Sequence, residues 1–293
     1  MCETSERDIQ ALVSMIDEPD PDIFQEISDK ILQFGDNAMP YIEDAWERFP
    51  EENLRLRLET LKQQIRFDAL SEQLINWAKD DSSDLMKAWM DITCFFHPDI
   101  NKKSVLNIIT NIRKDIWLEM NENLTALEQV KVFNHVFYDI HNFKGNLDDY
   151  HNPNNSFIDR VLERRTGNPL SISIVYMLVA QSVDLPIMGV NLPEHFVLAY
   201  MGERFDTESM KIHFDQPLFY INAFSGGAVF SSKEINDFLL KLGMEPLPEF
   251  FVPCSHKDIV IRMFNNLLAA YAQSEQVQLM AKLKQLRDRL EQL

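Results

Sequence analysis

Apolar residues recur every three or four positions through most of the first 140 residues, the spacing of one buried helix face. Ile9, Leu12, Val13 and Ile16 form a first stripe, with Ser5 and Asp8 spaced as a capping box. Asp20-Pro21 predicts an N-cap followed by proline at the first helical position. Ile23, Ile27, Ile31 and Phe34 carry that helix, and Gly35 ends it. Further stripes run through Ile42, Ala45, Trp46 and Phe49, then Leu54, Leu58, Leu61 and Ile65, then Leu85, Trp89, Ile92 and Phe96. Val105, Ile108, Ile112 and Ile116 make another, and Thr125-x-x-Glu128 caps one more.

The pattern changes at Gly145. Of 8 glycines, the first 144 residues hold only Gly35 and the other seven fall between Gly145 and Gly243, so the tight turns of a sheet belong there. Asn168-Pro169 opens a helix to about Val183, with Ile172, Val175, Tyr176 and Val179 on one face. Pro186 to Leu192, His195 to Met201 and Leu218 to Phe224 read as strands of an antiparallel sheet packed on that helix. Ser231-x-x-Glu234 and Ser255-x-x-Asp258 cap two later helices. The last helix repeats Leu279, Leu283, Leu286, Leu290 and Leu293. The expected fold class is α+β and mostly helical, in three parts. Residues 1–100 form a helical region resembling a HEAT repeat, 101–250 a small sheet-containing core, and 251–293 a helical pair resembling a tetratricopeptide unit.

Charge narrows the function classes. With 46 acidic and 28 basic side chains the net charge is −18, which argues against general binding to nucleic acid or to anionic membranes. No apolar run is long enough to span a bilayer, and residues 1–6 lack the basic and apolar segments of a secretion signal. Three scattered cysteines, Cys2, Cys94 and Cys254, fit a reducing compartment and a cytoplasmic location. No nucleotide-binding or cofactor motif is present. His135 and Asp139, with His141, Asp148, Asp149 and His151 nearby, do not complete a metal motif. No cofactor and no metal are expected.

One order of residues carries chemistry. Gly167-Asn168-Pro169-Leu170-Ser171-Ile172-Ser173 begins a helix, Asn191-Leu192-Pro193-Glu194-His195-Phe196 leads into a strand, and Phe219-Tyr220-Ile221-Asn222-Ala223-Phe224 ends the next. This resembles the SirB-type branch of the transglutaminase-like superfamily over roughly residues 100–290. The resemblance implies a cysteine nucleophile at the helix start, a histidine on the following strand and an Asp or Asn that orients it. His195 matches the second role and Asn222 the third. The first falls on Pro169, which supplies neither a thiol nor a backbone N–H. The SirB-type pattern itself carries this proline.

Each of these residues has a structural reading as well. Pro169 suits the first helical position after an Asn168 N-cap. Ser171 is the nearest hydroxyl and the one candidate nucleophile, but it also fits a packed position. His195 fits a hydrogen-bonded core histidine, and Asn222 a turn. Asn168, Asn191, Pro193 and Tyr220 are expected to shape a pocket at the same corner. Two functions follow from the resemblance. The first is a non-catalytic or regulatory protein that binds a protein or peptide partner through a degenerate cleft and its helical flanks. The alternative is an acyl-transfer enzyme, with His195 as base, Asn222 as orienter and Ser171 as nucleophile.

Overall fold

The computed structural model describes residues 3–80, 84–206, 211–272 and 276–293, with side chains outside 3–5 and 203–215. The chain is α+β and mostly helical, with a small antiparallel sheet, as the hydrophobic spacing predicts. It divides into two compact units, Met1–Lys79 and Asp80–Leu293, whereas the sequence draws its lines at 100 and 250.

The first unit holds α1 (Glu3–Ser14), α2 (Pro21–Gln33), α3 (Met39–Arg48) and α4 (Glu52–Lys79). Asp20 Oδ1 caps α2 by accepting the N–H of Asp22 at 2.9 Å, and Gly35 ends the helix with φ +55°. Helix α1 starts two residues before Ser5, so Ser5 is not its N-cap; the Ser5 side chain lies outside the described residues. Ile9, Val13, Ile31, Ile42, Leu58 and Ile65 meet in one core. In the turn after α1, Arg57 of α4 donates to the carbonyls of Ile16 and Glu18, each at 2.8 Å. No glycine or proline interrupts residues 52–79, so α4 runs on past the stripe ending at Ile65, burying Leu70, Leu74 and Trp77.

The second unit begins with α5 (Leu85–Phe96), α6 (Lys102–Glu119) and α7 (Ala126–Asn134), which widens into π-helical turns over His135–Ile140. Two short strands, β1 (Lys144–Gly145) and β2 (Thr166–Gly167), pair in parallel around α8 (Ile158–Arg164). Then follow α9 (Pro169–Gln181), β3 (Ile187–Asn191), β4 (Phe196–Asp206), β5 (Lys211–Asn222), β6 (Ala228–Phe230) and α10 (Ser232–Lys241). Helices α11 (His256–Tyr271) and α12 (Val277–Glu291) complete the unit. The capping boxes expected at Thr125, Ser231 and Ser255 all form.

Strands β3 to β6 make one antiparallel sheet in chain order, with Val190 opposite Val197 and Leu198 opposite Ile221. The sequence reading lacks β6, whose three residues are too few for a periodic signal. Val197, Ala199 and Met201 pack with Ile235 and Leu239 of α10. Side chains alternate along a strand, so Phe196, Leu198 and Tyr200 face the other side, where α9 packs on β3 and β4. Helix α9 is buried nearly all round, not on one face: Leu170, Ile172, Ile174, Val175 and Tyr176 are each no more than 3% exposed. Helix α11 packs on α5 and β3, and Leu283, Leu286 and Leu290 of α12 are buried. Among the described residues, no helix is long and apolar enough to cross a membrane.

Candidate functional site

The start of α9 is a closed joint. Asn168 Oδ1 accepts the Ser171 N–H at 2.9 Å, and Asn168 Nδ2 donates to Ser156 Oγ at 3.1 Å. Ser156 in turn uses its carbonyl to accept Trp89 Nε1–H at 2.8 Å. Ser171 Oγ donates to the Asn168 carbonyl at 3.2 Å, and Ser173 Oγ to the Pro169 carbonyl at 2.7 Å. Asn168 and Ser171 are 7% and 2% exposed. A Cβ on Gly167 would overlap Ser171 Oγ. The void against Asn168, Ser171, Trp89 and Met263 is only about 10 Å³, room for no more than one water. Pro169 is half-buried at the first helical position.

His195 and Asn222 do not form the expected pair. His195 precedes β4 and is exposed; its ring stacks on Phe238 of α10, with centroids 4.8 Å apart. The pleat explains this, since His195 has the parity of Val197 and Ala199, which face α10. Asn222 Oδ1 accepts the Ser225 N–H at 3.2 Å, capping the turn after β5. No hydrogen bond joins His195 to Asn222 among the described residues. Tyr220 is 3% exposed and donates to the Phe251 carbonyl at 2.8 Å, so it belongs to the core.

The turn after Asn222 is bolted down by residues that the sequence reading passes over. Asn134 donates to the Gly227 carbonyl at 3.0 Å and accepts the Tyr176 hydroxyl at 2.8 Å. Tyr138, in the π-helical turn, donates to the Ala223 carbonyl at 2.7 Å. Burial raises the pKa of both Tyr138 and Tyr176, which keeps them as neutral donors. Gly227 has φ +72°, and a Cβ there would overlap Asn134, so glycine is required.

Asn191 and Pro193 do reach a pocket. A cleft of about 630 Å³, within the range of ligand sites, opens between the β3–β4 turn and α11. Leu192, Phe250, Lys257, Ile261 and Arg262 also line it, with the carboxylates of Glu194, Asp258 and Glu291. Arg262 donates through Nη1 to Asn191 Oδ1 and, at 2.6 Å, to the Leu192 carbonyl. Burial lowers the Arg262 pKa. Its one sequence signal is a lone cation in the apolar run Ile259-Val260-Ile261-Arg262-Met263-Phe264. Nearby, Cys254 N–H donates to the Gly189 carbonyl at 2.9 Å, and burial pushes its thiol up to about 12.

Other polar clusters pair off. His97 Nδ1 lies 2.8 Å from Asp159 Oδ2 at the edge of a second cleft of about 540 Å³. His135 and Asp139 are 2.9 Å apart, as are His141 and Asp115. Among the described residues no three His, Cys, Asp or Glu side chains gather to hold a metal ion.

The half of the chain that carries this geometry also decides its family. The sequence model of the Transglutaminase-like superfamily matches residues 103–265. The chain belongs to this superfamily. It is 26% identical over 203 residues to a UPF0162 protein of Xylella fastidiosa (strain Temecula1 / ATCC 700964), covering 67% of this chain and 68% of the relative. UPF0162 protein YchA of Escherichia coli (strain K12) is 25% identical over 165 residues, covering 55% and 56%. F-box only protein 21 of Mus musculus is 36% identical over 136 residues, 46% of this chain but only 21% of that protein. No solved structure matches the chain.

Proposed function

We propose that this is a SirB-type member of the superfamily, without acyl-transfer chemistry, that binds a protein or peptide partner. The observation that carries the reading is the contrast at the corner the superfamily uses for catalysis. Pro169 stands at the nucleophile's place, and Ser171 beside it is buried and donates its proton to the Asn168 carbonyl. A nucleophile needs a base within hydrogen-bond reach, and His195 is turned to Phe238 instead. Close by, the cleft at Asn191 and Pro193 is open and of a size for a peptide segment. A domain carried within the much longer F-box only protein 21 chain also suits a binding module. The free thiols Cys94 and Cys254 fit the cytoplasmic location that belongs to the same proposal.

The test pairs turnover with binding on the purified full chain. Amine incorporation into casein and cleavage of peptide amides are expected to stay at the uncatalysed rate. Capture from a random peptide library is expected, and Pro193→Trp, which fills the cleft, is expected to abolish it. Thiol-sensitive turnover lost on Cys94→Ser or Cys254→Ser, or turnover lost on Ser171→Ala, would overturn the reading in favour of an acyl-transfer enzyme.

A further inference from the structure

Arg262 is a cation without a counter-ion in a chain of net charge −18. Half-buried charges are normally paired. Among the described residues no carboxylate forms an ion pair with Arg262, although that of Asp258 lines the same cleft. Asp258, one helical turn earlier, stands where an i,i+4 partner belongs. Its Oδ2 is engaged in the α11 capping box, accepting the Ser255 N–H at 2.9 Å and the Ser255 hydroxyl at 2.6 Å, and it makes no ion pair with Arg262.

The guanidinium is also held in place. Nη1 is taken by Asn191 Oδ1, at the end of β3, and by the Leu192 carbonyl in the turn after it. Among the described residues, Nε and Nη2 meet no protein acceptor. Arg262 lines the cleft, and neither nitrogen is buried without a partner, so this edge is open to solvent. Nε–H and Nη2–H on one edge form the fork that matches the two oxygens of a carboxylate. Phe250 and Ile261 give the cleft apolar wall beside that fork, while Glu194 and Glu291 are exposed at its rim.

We propose that the cleft receives one carboxylate of a peptide ligand on the Nε–Nη2 edge of Arg262. This rests on the peptide-binding reading above and names the group recognised. The rim glutamates disfavour a polyacidic segment, so the carboxylate is a single one flanked by apolar residues. It comes either from a free C-terminus or from one Asp or Glu side chain, and the same fork serves both.

Three sets of random acetylated octapeptides separate the cases when passed over the immobilised full chain. The first ends in a free carboxylate with no Asp or Glu, the second ends in an amide with no Asp or Glu, and the third ends in an amide with one Asp or Glu. Retention of the first or third set, with the neutral amide set at least about tenfold weaker, is expected. Whichever set is retained names the source. Retained peptides are expected to bind R262Q at least about tenfold more weakly, with R262K recovering only part because it keeps the charge but loses the fork. Should R262Q fail to fold, K257Q together with the wild-type comparison of carboxylate and amide sets carries the test. Equal retention of the neutral amides, unaffected by R262Q, overturns the carboxylate inference and leaves peptide binding standing. Retention of no set overturns both.

Discussion

Two corners of the second unit, both built from the segments that mark the superfamily, have opposite characters. At the start of α9 the polar groups of Asn168, Ser156, Ser171 and Trp89 satisfy one another around a void of about 10 Å³. At the β3–β4 turn a cleft of about 630 Å³ holds an arginine with one edge unused. A polar network that is complete and buried stabilises the fold and has nothing left to offer a ligand. An incomplete one at an open surface costs stability and leaves donors free for a ligand. On the proposed reading, the corner the superfamily uses for catalysis serves here as a structural joint, and the binding cleft lies at the β3–β4 turn.

Substitutions that spare one corner and strike the other sharpen this contrast. The largest effect is expected at Asn134. Asn134→Ala leaves the Tyr176 hydroxyl and the Gly227 carbonyl without partners, at a cost of about 3 kcal/mol in urea unfolding. A loss under about 1 kcal/mol would mean that the turn after Asn222 is not held by this network. Asn168→Ala removes the α9 N-cap and a partner of Ser156, and about 2 kcal/mol is expected from the same measurement. Unchanged stability there, or a gain of peptide turnover, would break the picture of a structural joint.

Alkaline unfolding probes the boundary between the two corners through Cys254. Its folded pKa of about 12 exceeds the unfolded value near 9.0, and burial is the main cause. The protonated thiol's contribution is therefore present in full below about pH 9 and lost as pH rises toward 12. Asp258 adds to the upward shift, and Arg262 opposes it. Between those limits stability is expected to fall by up to about 1.4 kcal/mol per pH unit from this group. Tyr138 and Tyr176 add their own losses above pH 10, so the comparison is Cys254→Ala against wild type. Identical alkaline slopes in the two would show that the thiol is not buried. The smallest effect is expected at the cleft's wall. Lys257→Gln should shift stability by no more than about 0.5 kcal/mol, the range of a surface change, while it weakens carboxylate binding. A larger shift would mean that the cleft, too, is a structural joint.

Much of the fold was legible in the sequence because helices and caps are local. Asp20-Pro21, Thr125-x-x-Glu128, Ser231-x-x-Glu234 and Ser255-x-x-Asp258 each start a helix where the spacing predicts it. Three of the four sheet strands were legible from their apolar runs. Less of the site was legible. His195 comes just before β4 and Asn222 ends the neighbouring β5 with the same pleat parity, yet the His195 ring stacks on Phe238 and Asn222 caps the turn at Ser225. Asn191 and Pro193 line a cleft with Arg262, which lies about 70 positions further along the chain and stood outside any pattern at that corner.

The amino-acid sequence alone determined what depends on neighbours within a turn or two: helix starts, strand runs, the shift at Gly145, and the absence of a thiol at Pro169. Tertiary structure alone decided whether a polar residue is satisfied. Ser171 is buried because Ser156 and Trp89, 15 and 82 residues away, close over the start of α9. Arg262 remained available because its helical neighbour Asp258 was drawn into a cap while Asn191 arrived from β3. Hydrogen-bond partners of buried groups come from distant chain segments, and no local pattern records which lone pair or N–H those segments leave unused.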